Sequence, residues 1–253
     1  MNALARHLIR KTGGFTLVEL LVALVIGLVV LGAVIGMYQS NSQAARFQNG
    51  MLRVQENGRF ATDTMGRVLR MAGYNDPWNS VEVSTPVVLG SEGSSGAAIS
   101  QTDLSTNGDT LAVRFEGGTN ILNCQGAAVS LNSWVTNQYA INTNNQLVCA
   151  TITTDSALNT TTSNNQTLAE GVEDMVVFYG LDVDTDGVAD RYVSASDVSN
   201  WDHVASIQVT FLVNSVENAV WGQDNVCIGC SVFSGSADNL IRAEFQTTVG
   251  LRN

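Results

Sequence analysis

From Phe15 to Tyr38 the chain reads FTLVELLVALVIGLVVLGAVIGMY, 24 residues in which Glu19 is the only charge. A helix of that length extends about 36 Å and crosses the hydrocarbon core of a bilayer. A second pattern follows. Phe47, Met51, Val54, Gly58, Ala61, Met65, Val68 and Ala72 recur at alternating spacings of four and three. They form one face of an amphipathic helix, with Arg46, Arg53, Glu56, Asp63, Arg67 and Arg70 largely off it. The two patterns predict one long helix to about Ala72, ended by Gly73 and Asp76-Pro77. Residues 75–110 are Ser/Gly-rich and predict an irregular connection. Beyond them, Thr110–Glu116, Gln146–Ile152, Met175–Gly180, Ser206–Val213 and Ile241–Val249 read as strands. The clearest alternates Ile207, Val209, Phe211 and Val213 with Gln208, Thr210 and Leu212. Thr153–Thr167 is polar and of low complexity and predicts a mobile loop. The fold class is therefore α+β: a long N-terminal helix, its lower half transmembrane, packed on an antiparallel β-sheet head.

Charge sharpens this division. The 253 residues carry a formal charge of −11. Residues 1–14 hold Arg6, Arg10 and Lys11 and no acid. Residues 39–74 hold five Arg against Glu56 and Asp63, and residues 75–253 hold four Arg against 20 acids, a net of −16. A head that negative repels phosphate backbones, so nucleic acid is not an expected partner. The basic N-terminal segment stays cytoplasmic and the head lies on the other side of the membrane. A cleaved signal peptide has an apolar core of about 7–15 residues, shorter than this run.

The stretch Lys11-Thr12-Gly13-Gly14-Phe15-Thr16-Leu17-Val18-Glu19-Leu20 resembles the processing site of type IV prepilins and type II secretion pseudopilins. The resemblance implies a leader at 1–14, a transmembrane half-helix at 15–38, an amphipathic half at 39–74 and a β-rich head at 75–253. It implies cleavage between Gly14 and Phe15 by a prepilin peptidase and N-methylation of Phe15. It also implies an assembly role for Glu19, which pairs with the N-terminal amine of a neighbouring subunit. An acid in an apolar bundle is tolerable when a cation meets it. In the head, Asn123–Gly126, Asn144–Cys149 and Ala169–Gly180 are similar to the minor pilin PilW family. That resemblance implies a minor pilin of the type IV pilus that helps start assembly near the filament tip. Its implied partners are other minor pilins and pilins, the prepilin peptidase and the inner membrane, with the head in the periplasm and later at the cell surface. A type II secretion pseudopilin of the J type is the alternative within the class. A tip adhesin or ligand-binding module is the alternative outside it.

Other chemistry is sparse. No G-x-S-x-G and no metal-binding His pair is present, so an enzyme is not expected. Gly32–Gly36 is a GxxxG match that suits close helix contact. Cys124, Cys149, Cys227 and Cys230 allow three pairings and face an oxidising compartment if the topology holds. The strand-like context of Cys124 and Cys149 suits a bridge closing about 25 residues, and Cys227 with Cys230 suits a tight local loop. Asp182, Asp184, Asp186 and Asp190 occupy positions 1, 3, 5 and 9 of a calcium loop, with Gly187 at position 6 and the Val188 carbonyl at 7. Position 12 is Val193, so this is no standard EF-hand, and Asp197, Asp202 or water must complete the shell. The cofactor expected is calcium.

Overall fold

Apolar residues without a proline run from Leu17 onward, and in the computed structural model they form a single helix, α1, Leu17–Leu69. The structure describes residues 14–75, 88–91, 107–155, 157–218, 226–228, 231–233 and 239–251. The chain divides into two units, residues 1–45 and 46–253. In the first, α1 is exposed over nearly its whole surface, as an apolar span intended for lipid is. Gly27, Gly32 and Gly36 face open space there.

In the second unit α1 buries Gly50, Val54, Gly58, Ala61, Met65, Gly66 and Leu69. Phe47 departs from the expected stripe: it is 42% exposed, so the buried face opens at Gly50. The glycines admit a close neighbour. Phe245 lies on Gly58 so tightly that a Cβ there would collide with its ring. The helix ends in a tightened turn, Met71 N–H to Val68 O (2.9 Å) and Ala72 N–H to Leu69 O (3.1 Å). Gly73 then takes φ 72°, and its N–H reaches Arg114 O at 2.9 Å.

The strands are β1 Val88–Ser91, β2 Asn107–Glu116, β3 Ser133–Ile141, β4 Gln146–Asp155, β5 Thr160–Thr162, β6 Gln166–Glu170, β7 Val172–Leu181, β8 Arg191–Val193, β9 Val204–Asn214, β10 Val226–Ile228, β11 Ser231–Phe233 and β12 Arg242–Gly250. All pair antiparallel, but in two main sheets rather than one. The first runs β1-β2-β3-β4-β5, with β6 also on β4, and the second β12-β9-β7-β8; β10 and β11 form a ribbon. The sheets meet where β2 approaches β7. There the Asp109 carboxylate accepts the Val177 N–H at 2.8 Å. One core joins the helix face to Leu111, Tyr139, Leu147, Met175, Ile207 and Phe211.

Two sequence expectations are corrected. Thr153–Thr167 is not a loop: β4 continues to Asp155, and β5 and β6 both fall within or across the stretch. Its threonines are β-branched, so they extend the backbone while their hydroxyls face water; Thr154 and Thr160 meet across the strands at 3.4 Å. The stretch before residue 110 is not wholly irregular, since β1 lies in it and β2 begins at Asn107.

A buried ion pair fastens β12 to its sheet. Arg242 Nε donates to Glu173 Oε2 at 2.7 Å and its Nη2 to Oε1 at 2.8 Å. Asn214 Nδ2 donates to the same Oε1 at 2.7 Å.

Candidate functional site

Three features carry the expected chemistry. At the start of α1, Thr16 caps the helix: its Oγ1 accepts the Glu19 N–H at 3.2 Å and its carbonyl accepts the Leu20 N–H at 3.1 Å. Thr16-x-x-Glu19 is therefore a capping-box pattern, a local role for these residues that the apolar run had obscured. Phe15 is 83% exposed. Gly14 and Phe15 lie immediately before the helix, outside its hydrogen-bonded ladder. A chain at a helix start without that ladder is open to a peptidase. Lys11, Thr12 and Gly13 lie outside the described residues.

The acidic turn follows β7. Asp182 is at its base, 9% exposed, while Asp184, Asp186 and Asp190 are exposed. The Asp182 carboxylate accepts the N–H of Asp186 (3.2 Å) and of Gly187 (2.8 Å). Asp190 Oδ2 accepts the Val183 N–H at 2.8 Å, and Asp190 N–H returns to Leu181 O at 2.8 Å. The turn needs the left-handed region twice, at Thr185 (φ 62°) and Gly187 (φ 86°). Glycine adopts it freely; the β-branched threonine is held there by the bonded frame around Asp182.

Carboxylate oxygens of Asp182, Asp184 and Asp190 come within 4.8 Å of one another. Asp186 is not in that group; its Oδ1 accepts the Val188 N–H at 2.8 Å. The Val188 side chain is exposed. Electrostatics divide the acids. Partial burial opposes ionisation of Asp182, but the amides of Gly187, Thr185 and Asp186 hold its carboxyl below the usual carboxylate range. Asp184 is pushed above it, chiefly by the charge of Asp186, then by desolvation and Asp190. Such crowding is the condition a divalent cation relieves. Three carboxylates are a partial shell for calcium, which takes six to eight oxygens, so carbonyls and water must supply the rest.

Cys124 and Cys149 form a disulfide, with Cα atoms 6.4 Å apart and 25 residues between them in sequence. It pins the loop after β2 to β4. Gln125 adds bonds to Cys149 O (3.4 Å) and Asn164 O (2.5 Å), so β4 and the chain before β6 are tied through one point. Cys230 and the side chain of Cys227 lie outside the described residues.

Comparison with known proteins now meets this geometry. Residues 134–253 match the family described as Type IV Pilus-assembly protein W (PilW), and residues 9–35 match the Prokaryotic N-terminal methylation motif. No curated protein sequence matches the chain. Among solved structures, the fold is similar to a type IV-like pilin, TTHA1219 from Thermus thermophilus. The TM-score is 0.50 at 14% identity, over 79% of this chain and 95% of that one. An N-terminal methylation motif that opens an apolar helix, joined to a pilin-like α+β head, makes the chain a type IV prepilin-like protein. Within that class its residues 134–253 are similar to the PilW family, which supports a minor type IV pilin. The apolar helix and the motif mark its N-terminal segment as a membrane anchor.

Proposed function

We propose that this chain helps initiate type IV pilus assembly, together with other minor pilins, and sits near the filament tip. The observation that carries the reading is continuity: one unbroken helix, Leu17–Leu69, joins the methylation motif to a head of the PilW type. In this reading prepilin peptidase cuts between Gly14 and Phe15, the helix is anchored in the inner membrane, and the head stands in the periplasm until assembly carries it to the surface. The protein acts by contact, not catalysis. Deletion of the gene is expected to abolish or sharply reduce surface pili and leave exoprotein secretion at its normal level. Normal piliation with failed secretion would instead assign the chain to the J-type pseudopilin role.

The acidic turn is proposed to hold calcium through Asp182, Asp184 and Asp190, with Asp186 and the Val188 carbonyl available to complete the shell. Support comes from the convergence of three carboxylates on a turn braced by its own amides. Millimolar extracellular calcium makes an affinity of about 10⁻⁴ M sufficient. At ten times that dissociation constant, binding to the folded form alone adds about 1.4 kcal/mol. The detergent-solubilised chain is therefore expected to melt higher in 1 mM calcium than in chelator. Asp184→Ala/Asp190→Ala should melt alike in both. Equal melting of the parent in both conditions, with no calcium heat by calorimetry, refutes the site.

A further inference from the structure

One edge of the first sheet is open. β5 ends the strand order and pairs only with β4, on the side that β3 leaves free. β6 continues along that side, but a register shift at Leu147/Val148 interrupts it. The alternation of an antiparallel ladder fixes which backbone groups of β5 point outward. Asp155 N–H reaches Asn159 O at 3.0 Å, and Ser163 N–H reaches Thr151 O at 2.8 Å, so these are bonded pairs. Midway between them Thr153 and Thr161 form the next bonded pair, while Thr154 with Thr160 and Ile152 with Thr162 are not bonded pairs. The N–H and C=O groups of Thr160 and Thr162 therefore face away from β4. Both residues are exposed.

Native sheet edges are commonly guarded by charge, proline or a bulge. The edges of the second sheet follow that rule: β8 carries Arg191, and β12 carries Arg242 and Glu244. Along β5 no such guard is present. From Ser156 to Ala169 the chain has no charged residue, no proline and no glycine. The threonines of β5 are β-branched and favour the extended backbone an incoming strand needs. The edge is also braced from behind. The Cys124–Cys149 disulfide holds β4, and Gln125 Nε2 donates to Asn164 O at 2.5 Å just past β5. Leu158, 76% exposed at the turn into β5, adds an apolar contact at one end.

We propose that β5 is a docking edge that takes an extended strand from the head of a different pilin subunit, which then joins the first sheet beyond β4. The groups on offer are the outward N–H and C=O of Thr160 and Thr162, about 6.8 Å apart along the strand. An extended backbone presents its own donors and acceptors at that same period, whereas a helix has already used its own. Recognition of this kind takes its affinity from the main chain, so the partner is defined by its conformation more than by its side chains. A braced edge also needs no ordering before the strand arrives. The inference rests on the reading of the chain as a minor pilin near the filament tip, where its neighbours are unlike heads.

The test uses the full chain in producing cells, with a photo-cross-linking residue in place of Asn165, which is exposed between β5 and β6. The expected product joins this chain to a different chain that carries an N-terminal methylation motif, identified from the joined peptides by mass spectrometry. Thr160→Pro/Thr162→Pro removes only outward N–H groups, because the bonded pairs use Asn159, Thr161 and Ser163. It should lower the yield on the order of ten-fold. Thr160→Val/Thr162→Val removes the hydroxyls but keeps the backbone groups and the β-branching, and should leave the yield at the parent's level. A proline variant that cross-links like the parent, a valine variant that loses as much as the proline variant, or a product containing only this chain overturns the proposal. The proline variant is expected to melt as the parent does. Where it melts lower, hydrogen exchange decides: amides of residues 159–163 must exchange more slowly in sheared filaments than in the solubilised chain, and equal rates overturn the proposal. Piliation of the deletion strain is scored separately. Normal piliation there removes the assembly reading, while the comparison of proline with valine decides the contact.

Discussion

Arg242→Ala is expected to destabilise the head by about 3–5 kcal/mol, a large share of the roughly 5–15 kcal/mol typical of a folded domain. The Arg242 and Glu173 side chains are only 7% and 6% exposed. Removing the guanidinium leaves a buried carboxylate held by the Asn214 amide, which donates to it at 2.7 Å. Desolvation of that carboxylate, more than the lost attraction, sets the size of the effect. Lys at 242 should not restore stability fully, because it cannot reproduce the two-pronged contact of Nε and Nη2. The double change Glu173→Leu/Arg242→Met should be far milder than Arg242→Ala, since it removes both charges. Denaturant unfolding of the solubilised chain, followed by tryptophan fluorescence, to which the head residues Trp134 and Trp201 contribute, measures all three. A double variant as unstable as Arg242→Ala would show that packing around β12, not the unpaired charge, dominates.

The pair also shows where sequence reading stops. Long periodic patterns were legible because each repeats one physical demand many times. The stripe from Met51 to Ala72 tracks the buried face of α1, and the alternation at Ile207–Val213 tracks β9. β3 escaped notice because its sequence, SWVTNQYAI, places Asn137 and Gln138 where water is expected, yet both are buried. Asn137 finds a partner in Thr151, 3.2 Å away, across 14 residues of sequence. β5 and β6 were hidden in a polar stretch, where threonine hydroxyls mask the β-branching that favours a strand. Glu173 reads as one more surface acid until β12 is folded beside it, 69 residues later. In the acidic turn the spacing located the carboxylates. It did not say that Asp182, Asp184 and Asp190 would converge while Asp186 turned to the Val188 amide. Local motifs are written in consecutive residues; partners chosen by tertiary folding are not.

Gly14→Arg is expected to block maturation altogether. The proposed cleavage site follows a basic segment, with Arg6, Arg10 and Lys11, and precedes a helix capped by Thr16. A bulky cation at 14 leaves no small residue for the peptidase to accept, so Phe15 never acquires a free amine. The consequence reaches Glu19. Its carboxylate lies one turn into an apolar span, where a charge at full depth costs about 2.5–3.5 kcal/mol and the interface relieves part of it. An amine on a neighbouring chain is the cation that would offset the remainder. The capping-box pattern supplies a competing account, in which Glu19 serves only the helix start. Glu19→Gln separates the two. Glutamine can make the side-chain bond of a capping box but carries no charge, so the local account leaves incorporation into filaments unchanged, whereas charge pairing predicts a loss like that of Glu19→Ala. Both variants should insert into the membrane at least as well as the parent, because a buried carboxylate is avoided. The measurements are the mature mass after co-expression with prepilin peptidase and the amount of chain in sheared filaments at equal membrane level. A product beginning at a residue other than Phe15, or a Gly14→Arg chain still cut at that bond, defeats the processing site. Filament levels of Glu19→Gln equal to the parent defeat the pairing.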